Sequence, residues 1–225
     1  KEFDEKLLPL VEAMERRFNA RGQFEQAPLP SDLFDQINHL YKEEGVRLDI
    51  FEGEEKSAYA DLVVQGMHHI HAIKEFRKEL SGWIRNNYSN RRDGIPGYTM
   101  LAPGPLSFFI APLIKNFNMG GLLGALNRKS IESASAAIVL STVSDTPSEW
   151  FRVGRYFERV SLFLATQGIR TSVYVAAVED TVLRQELRGK LKEQGLPRFA
   201  FTIGRPKIPF EPTPRLSPEE RTFIP

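Results

Sequence analysis

Ala136-Ala-Ile-Val-Leu-Ser-Thr-Val143, followed almost at once by Thr146-Pro147-Ser148-Glu149, is the stretch on which the fold turns. An unbroken apolar and β-branched run of this length suits a strand that is buried on both faces. Thr146 with a glutamate three residues later forms a capping box, and Pro147 stands where the first helical residue needs no N–H. A helix is therefore expected from residue 147. It places Trp150, Val153, Phe157, Val160 and Leu164 inward and ends at Gly168. Downstream, residues 171–176 read as the next strand, 182–194 as a helix stopped by Gly195, and 199–203 as a third strand. A β-α-β-α-β order with short loops predicts an α+β fold built on an α/β sheet whose faces are covered by helices.

Upstream the signals are weaker. Phe3, Leu7, Leu10, Val11, Met14 and Phe18 fall on one helical stripe, with Gly22 as a stop. Pro28 and Pro30 mark a connection, Ser31 caps a second amphipathic helix ended by Gly45, and Val46, Leu48 and Ile50 alternate as a short strand. Residues 54–85 are helical again, with a break expected near Gly66 or after His71. Residues 95–127 combine Pro96, Pro103, Pro105 and Pro112 with Leu106, Phe108, Phe109 and Ile110. That is too apolar for a disordered linker and too interrupted for one element, and we read it as a lid-like insertion in a single domain spanning 1–225. Opening on Lys1 inside a helical pattern, the chain is expected to be the C-terminal part of something longer.

Composition narrows the chemistry. Thirty Lys plus Arg against 29 Asp plus Glu leave a net charge of +1, which provides no general field for nucleic acid or an anionic membrane. The absence of cysteine from these residues removes disulfides, thiolate nucleophiles and Cys-ligated metals, and it fits a reducing cytoplasm. The apolar stretch around Leu106 is broken by Pro112 and is shorter than the ~20 residues a membrane-spanning helix needs.

The local motifs each have an ordinary reading. His68 and His71 in Met67-His-His-Ile-His71 share a helical face at a spacing metals accept, but no third ligand stands at a fixed distance and no metal is assigned. Gly120, Gly121 and Gly124 match neither phosphate-loop pattern and are read as flexibility within the insertion. No G-x-S-x-G turn anchors a hydrolase triad. Arg85, Arg91 and Arg92 around Tyr88 form a basic patch that a solvated loop explains. In the tail, Arg205, Lys207 and Arg215 lie among prolines, which hold an extended backbone so that an arginine fork can grip a phosphate.

Beyond these local readings, Trp150-Phe-Arg-Val-Gly154-Arg-Tyr-Phe-Glu-Arg-Val-Ser-Leu-Phe-Leu-Ala-Thr-Gln-Gly168, Leu183-Arg-Gln-Glu-Leu-Arg188, Ala200-Phe-Thr-Ile-Gly-Arg-Pro206 and Pro212-Thr-Pro-Arg215 together resemble the C-terminal half of nitroreductase-like FMN flavoproteins. With Phe76-Arg-Lys-Glu-Leu-Ser-Gly-Trp-Ile-Arg85 and Asp93-Gly-Ile-Pro96, the likeness is to the double-length, Acg-like branch. The resemblance implies a nitroreductase-like fold, bound FMN, NAD(P)H and a small electron acceptor as partners, and a site completed by a homodimer partner or by an N-terminal half of the same chain. It places Arg215 on the FMN phosphate, with Arg205 and Lys207 as weaker candidates, and Ser172, Val173 and Tyr174 on the strand that passes the isoalloxazine ring. No catalytic side chain is implied, since the flavin itself carries the hydride. Two departures stand out: Leu216 and Ser217 follow Arg215 where the family has a second arginine, and the N-terminal Arg-Arg-Ser-x-Arg signature is absent. The alternatives are a protein that sequesters FMN without turnover and a flavin-free structural relative.

Overall fold

The computed structural model describes residues 5–40, 42–100, 102–208, 213 and 217. Along the chain come α1 (Leu8–Ala13), α2 (Leu33–Leu40), β1 (Val46–Phe51), α3 (Gly53–Ala72), α4 (Lys74–Trp83), β2 (Ile84–Arg85), β3 (Ile95–Pro96), α5 (Ser107–Asn116) and α6 (Gly120–Ser133). They continue with β4 (Ala136–Thr142), α7 (Pro147–Thr166), β5 (Arg170–Val173), α8 (Ala176–Glu179), α9 (Thr181–Arg188) and β6 (Leu196–Gly204).

The main sheet has the order β1-β4-β6-β5, and every neighbouring pair in it is antiparallel. The covered sheet and α+β class expected from the sequence are present. What the β-α-β-α-β order did not convey is that β6 inserts between β4 and β5, so the two strands joined by α7 run the same way without touching. All seven residues of β4 are buried. Ala136, Ile138 and Leu140 pack with α1, α2 and α7 on one face. Ala137 and Val139 pack with α3, Ile131 of α6 and α9 on the other. The continuous apolar run thus reflects helices on both faces, not parallel pairing.

Helix α7 begins at Pro147 with half of the capping box: Thr146 accepts a hydrogen bond from the Glu149 N–H at 3.4 Å, whereas the Glu149 carboxylate takes the N–H and hydroxyl of Ser144, two residues before the cap. It gives way to Gly168, whose φ of +70° is open to glycine at little cost. Other boundaries moved. Strand β5 ends at Val173, so Tyr174 lies just beyond it, although the Tyr174 N–H still pairs with the Ala200 carbonyl. Helix α9 stops at Arg188, with Gly189 as its C-cap, six residues before the expected end. The first helix is confined to Leu8–Ala13 because Pro9 is tolerated only in a first turn, and the expected stripe divides: Leu10 is buried while Leu7, Val11 and Met14 are exposed.

Residues 54–85 form two helices with the break at Ile73, and the chain runs straight through Gly66. Gly66 is a contact point instead: a Cβ there would lie 2.7 Å from the Ala176 backbone. The glycines of residues 120–124 play the same part. A Cβ on Gly120 would meet the Met67 carbonyl at 2.5 Å, so these residues let α6 lie against α3 and do not serve flexibility. Within the segment read as a lid, α6 joins the body, whereas α5 packs on α4 and turns Phe108, Phe109 and Phe117 to solvent. No single described helix is long and apolar enough to cross a membrane; α5 and α6 qualify only as a pair, and they are bent by 120°.

Candidate functional site

The residues singled out by sequence lie around β5 and the Gly204 end of β6. Ser172 and Tyr174 are spent on packing. Ser172 is buried, and Tyr174 enters the cluster under α3, where its hydroxyl meets the Ser130 hydroxyl at 2.6 Å and its carbonyl accepts from the Tyr59 hydroxyl. The Ser130 hydroxyl in turn donates to the Gly22 carbonyl. The Val173 side chain packs on the opposite face, against the α7 layer. None of the three lines either of the two clefts described below, so what they can offer a ligand is backbone.

That backbone lies on an edge. β5 closes the sheet, and among the described residues only the segment before α2 reaches its outer side: the Ala20 N–H donates to the Thr171 carbonyl at 2.7 Å, and the Thr171 hydroxyl donates to Asn19 Oδ1 at 2.8 Å. Strand alternation turns the N–H and C=O of Val173 to this same outer side, where no further strand or bridge covers them among the described residues.

At the Arg170 end of β5 the positive charges gather. Arg205 lies beside the Gly168 turn, donating to the Gln167 carbonyl at 3.2 Å, and its guanidinium would stand 3.0 Å from a Cβ on Gly168. Lys207 is exposed two residues on, its N–H bound to the Gln23 carbonyl at 3.0 Å. Arg170 sits over the Phe18 ring at 4.9 Å and donates to the Ala165 and Ile169 carbonyls, while its buried Nε has no partner among the described residues. Burial, and then the charge of Arg16, hold the Arg170 pKa below its ordinary value. Arg205 therefore lies at the turn that leads into β5 and Lys207 beside Gln23, while Arg215 lies outside the described residues.

Sequence reading missed Arg16 and Arg170. The stretch Arg16-Arg17-Phe18-Asn19-Ala20-Arg21 lacks the serine and the spacing of the expected signature, and only tertiary contacts carry it to this end of the sheet. The histidine run falls apart. His71 is buried edge-on against Phe76, with its pKa lowered by burial; His69 meets Asp180 at 2.8 Å; and His68 lies against α6 at Gly121. Among the described residues no group of three or more His, Asp or Glu is placed to hold a metal.

Two clefts flank the sheet. One of about 250 Å³ lies over β1 beside Asn38, Tyr156 and Lys192. The other, of about 400 Å³, opens at the Leu196 end of β6, between α7 and α9.

No family model matches this sequence, and no curated protein matches it. Solved structures do. An FMN- and NADPH-dependent nitroreductase, NfnB from Sphigopyxis sp. strain HMH, superposes with a TM-score of 0.61 at 17% identity, over 96% of this chain and 98% of that one. The nitroreductase CinD from Lactococcus lactis, solved with chloramphenicol, gives 0.57 at 11% identity over 96% and 98%. An oxidised iodotyrosine deiodinase bound to FMN and 3-iodo-L-tyrosine gives 0.58 at 14% identity over 92% and 95%. Likeness at such identities is a likeness of backbone path, and over nearly the whole chain that path is the nitroreductase fold.

Proposed function

We propose that the chain is an FMN-dependent NAD(P)H oxidoreductase of nitroreductase type, binding the flavin along the outer edge of β5 with its phosphate at the Arg170 end. The observation that carries this reading is the crowding of Arg16, Arg170 and Arg205 around the Gly168 turn. Arg16 is exposed and Arg170 and Arg205 are half-buried; cations held beside one another repel unless an anion compensates, and a phosphate takes charge-assisted hydrogen bonds from such groups. Lys207 and Arg215, four and ten residues beyond Ile203 and Arg205 respectively along the same tail, complete the phosphate set. About 10 Å along β5 from Arg170, the free N–H and C=O of Val173 match the hydrogen-bonding rim of an isoalloxazine ring. Ser172 and Tyr174 hold that edge in place through their packing. FMN bound here supplies hydride acceptance and return through its ring, which is why no acid, base or nucleophile is required of the chain.

The solved structures that share this fold include an FMN- and NADPH-dependent nitroreductase and a deiodinase bound to FMN, which supports the choice of FMN and NAD(P)H. The finer placement in the double-length, Acg-like branch rests on the motifs of residues 76–96 and 136–215. It carries with it the reading of residues 95–127 as a lid and of a second copy or an N-terminal half as the missing side of the site.

Reconstitution with FMN and titration with NADPH test the proposal. Yellow protein whose flavin absorbance is bleached by NADPH is the expected result; protein that stays yellow sequesters flavin without turnover, and protein that takes up no FMN sinks the reading. Arg205→Gln and Arg215→Ala should each raise the flavin dissociation constant roughly tenfold or more, the loss of one charge-assisted hydrogen bond.

A further inference from the structure

We propose that the cleft at the Leu196 end of β6 is a second ligand site, selective for a small aromatic monoanion such as an aryl carboxylate. It is separate from the flavin edge: the nine residues of β6 put roughly 26 Å between its two ends. The cleft holds about 400 Å³, within the range of small-molecule sites.

Its walls are aromatic and held in place. Phe157 and Phe199 form the floor, their rings 4.6 Å apart and tilted, with Phe201 behind them 5.0 Å from Phe157. Trp150 stands at the side. Its indole N–H is fixed to Asp145 at 2.7 Å, yet the residue is 55% exposed. A large ring that is pinned by a hydrogen bond and left uncovered is a preformed stacking surface. One turn further along α7, beside Trp150, stands Gly154, and a Cβ built there meets nothing within 4 Å, so the space next to the indole is open.

The charge at the rim sets the selectivity. Arg198 is consumed by the fold: it donates to Thr142 and to the Ser144 carbonyl and pairs with Asp145 at 2.8 Å. Asp145, the carboxylate lining the cleft, is thereby satisfied by Arg198 and Trp150, and Glu149 is turned back to Ser144. Arg184, on α9, is half-buried and lines the same cleft, and its guanidinium makes no hydrogen bond or ion pair among the described residues. Arg184 is near enough to Asp145 to help lower its pKa, yet with that carboxylate bonded to Arg198 and Trp150 the guanidinium fork is left for a planar ring bearing a carboxylate in this aromatic-lined cleft.

The experiment titrates 1-naphthoate, and its uncharged counterpart 1-naphthamide, into the nitrogen-15-labelled protein while following the Trp150 indole N–H resonance, assigned with a Trp83→Phe variant. Naphthoate should shift that resonance saturably and bind at least tenfold more tightly than the amide. Arg184→Gln should abolish the preference for the acid, and Gly154→Leu should abolish binding of both. Because leucine is the better helix former, Gly154→Leu should keep or raise the melting temperature, which separates a filled cleft from a misfolded chain. Saturating FMN should leave the naphthoate titration unchanged. Equal affinity for acid and amide, retained binding in Gly154→Leu, displacement by FMN or the lack of a saturable shift would each overturn the proposal.

Discussion

At its Gly204 end, β6 is fastened by backbone: Ala20, Glu25 and Lys207 join the N-terminal segment, β5 and the tail through main-chain hydrogen bonds. At its Leu196 end, the same strand is held by side chains, with Arg198, Asp145, Trp150 and Thr142 bonded to one another. Where main chain does the fastening, Arg205 and Lys207 keep charge to offer a ligand. Where side chains do it, the charges are largely spent internally, and Arg184 is what remains.

The largest expected effect tests the backbone-fastened end. A Cβ on Gly204 would lie 2.8 to 3.1 Å from Phe24, close to that residue's own Cβ, so the ring cannot swing clear. Gly204→Val should cost roughly 1–3 kcal/mol, or about 3–10 °C in melting temperature, and should expose residues 19–25 to limited proteolysis. The Trp150 indole resonance should stay where it is. An unchanged melt, or a moved indole, would show that the two ends are not independently held.

A smaller effect is expected from Tyr174→Phe, which removes the first donor of the chain that runs from the Tyr174 hydroxyl through Ser130 to the Gly22 carbonyl. The cost should be about 1–2 kcal/mol, and the double variant with Ser130→Ala should fall short of the sum of the singles in chemical denaturation. Strict additivity would mean that the hydroxyls do not act as one unit.

The smallest effect belongs to Asp145. Its pKa is lowered by the hydrogen bond from the Trp150 indole and then by that from Arg198. A folded-state pKa below the unfolded one means that its contribution to stability is present above about pH 3.9 and is lost as pH falls through the depressed value. Since the carboxylate is exposed, the sensitive readout is the indole N–H resonance, which should titrate with a midpoint below 3.9 in the wild type and lose that step in Asp145→Asn. A midpoint at or above 3.9 would mean that the side-chain network does not hold this end.

Much of the frame was legible before any coordinates. The N-cap at Thr146, the run of β4 and the stop at Gly168 are local signals, each decided by a few residues' own backbone chemistry, and each stands where expected. Illegible features depended on partners distant in sequence. The glycines of residues 120–124 look like a loop until α3 is laid against them. His68 and His71 share a helical face by spacing, yet the three histidines of that run go to Gly121, Asp180 and Phe76. Ser172 and Tyr174 read as site residues through the strand they stand on, and only the tertiary structure shows that Ser172 is buried and that the Tyr174 ring packs under α3.

The covered sheet, the start of α7 and the tail's concentration of proline and arginine were determined by sequence alone, because hydrophobic period, capping and turn chemistry act over a handful of neighbours. The insertion of β6 between β4 and β5, the arrival of Arg16 beside Arg170 and the placing of Arg184 in one cleft with Phe157 and Phe199 were decided only by the tertiary structure. Pairing between strands and the desolvation of a charge depend on groups far apart in the sequence, and no local pattern records which of them will meet.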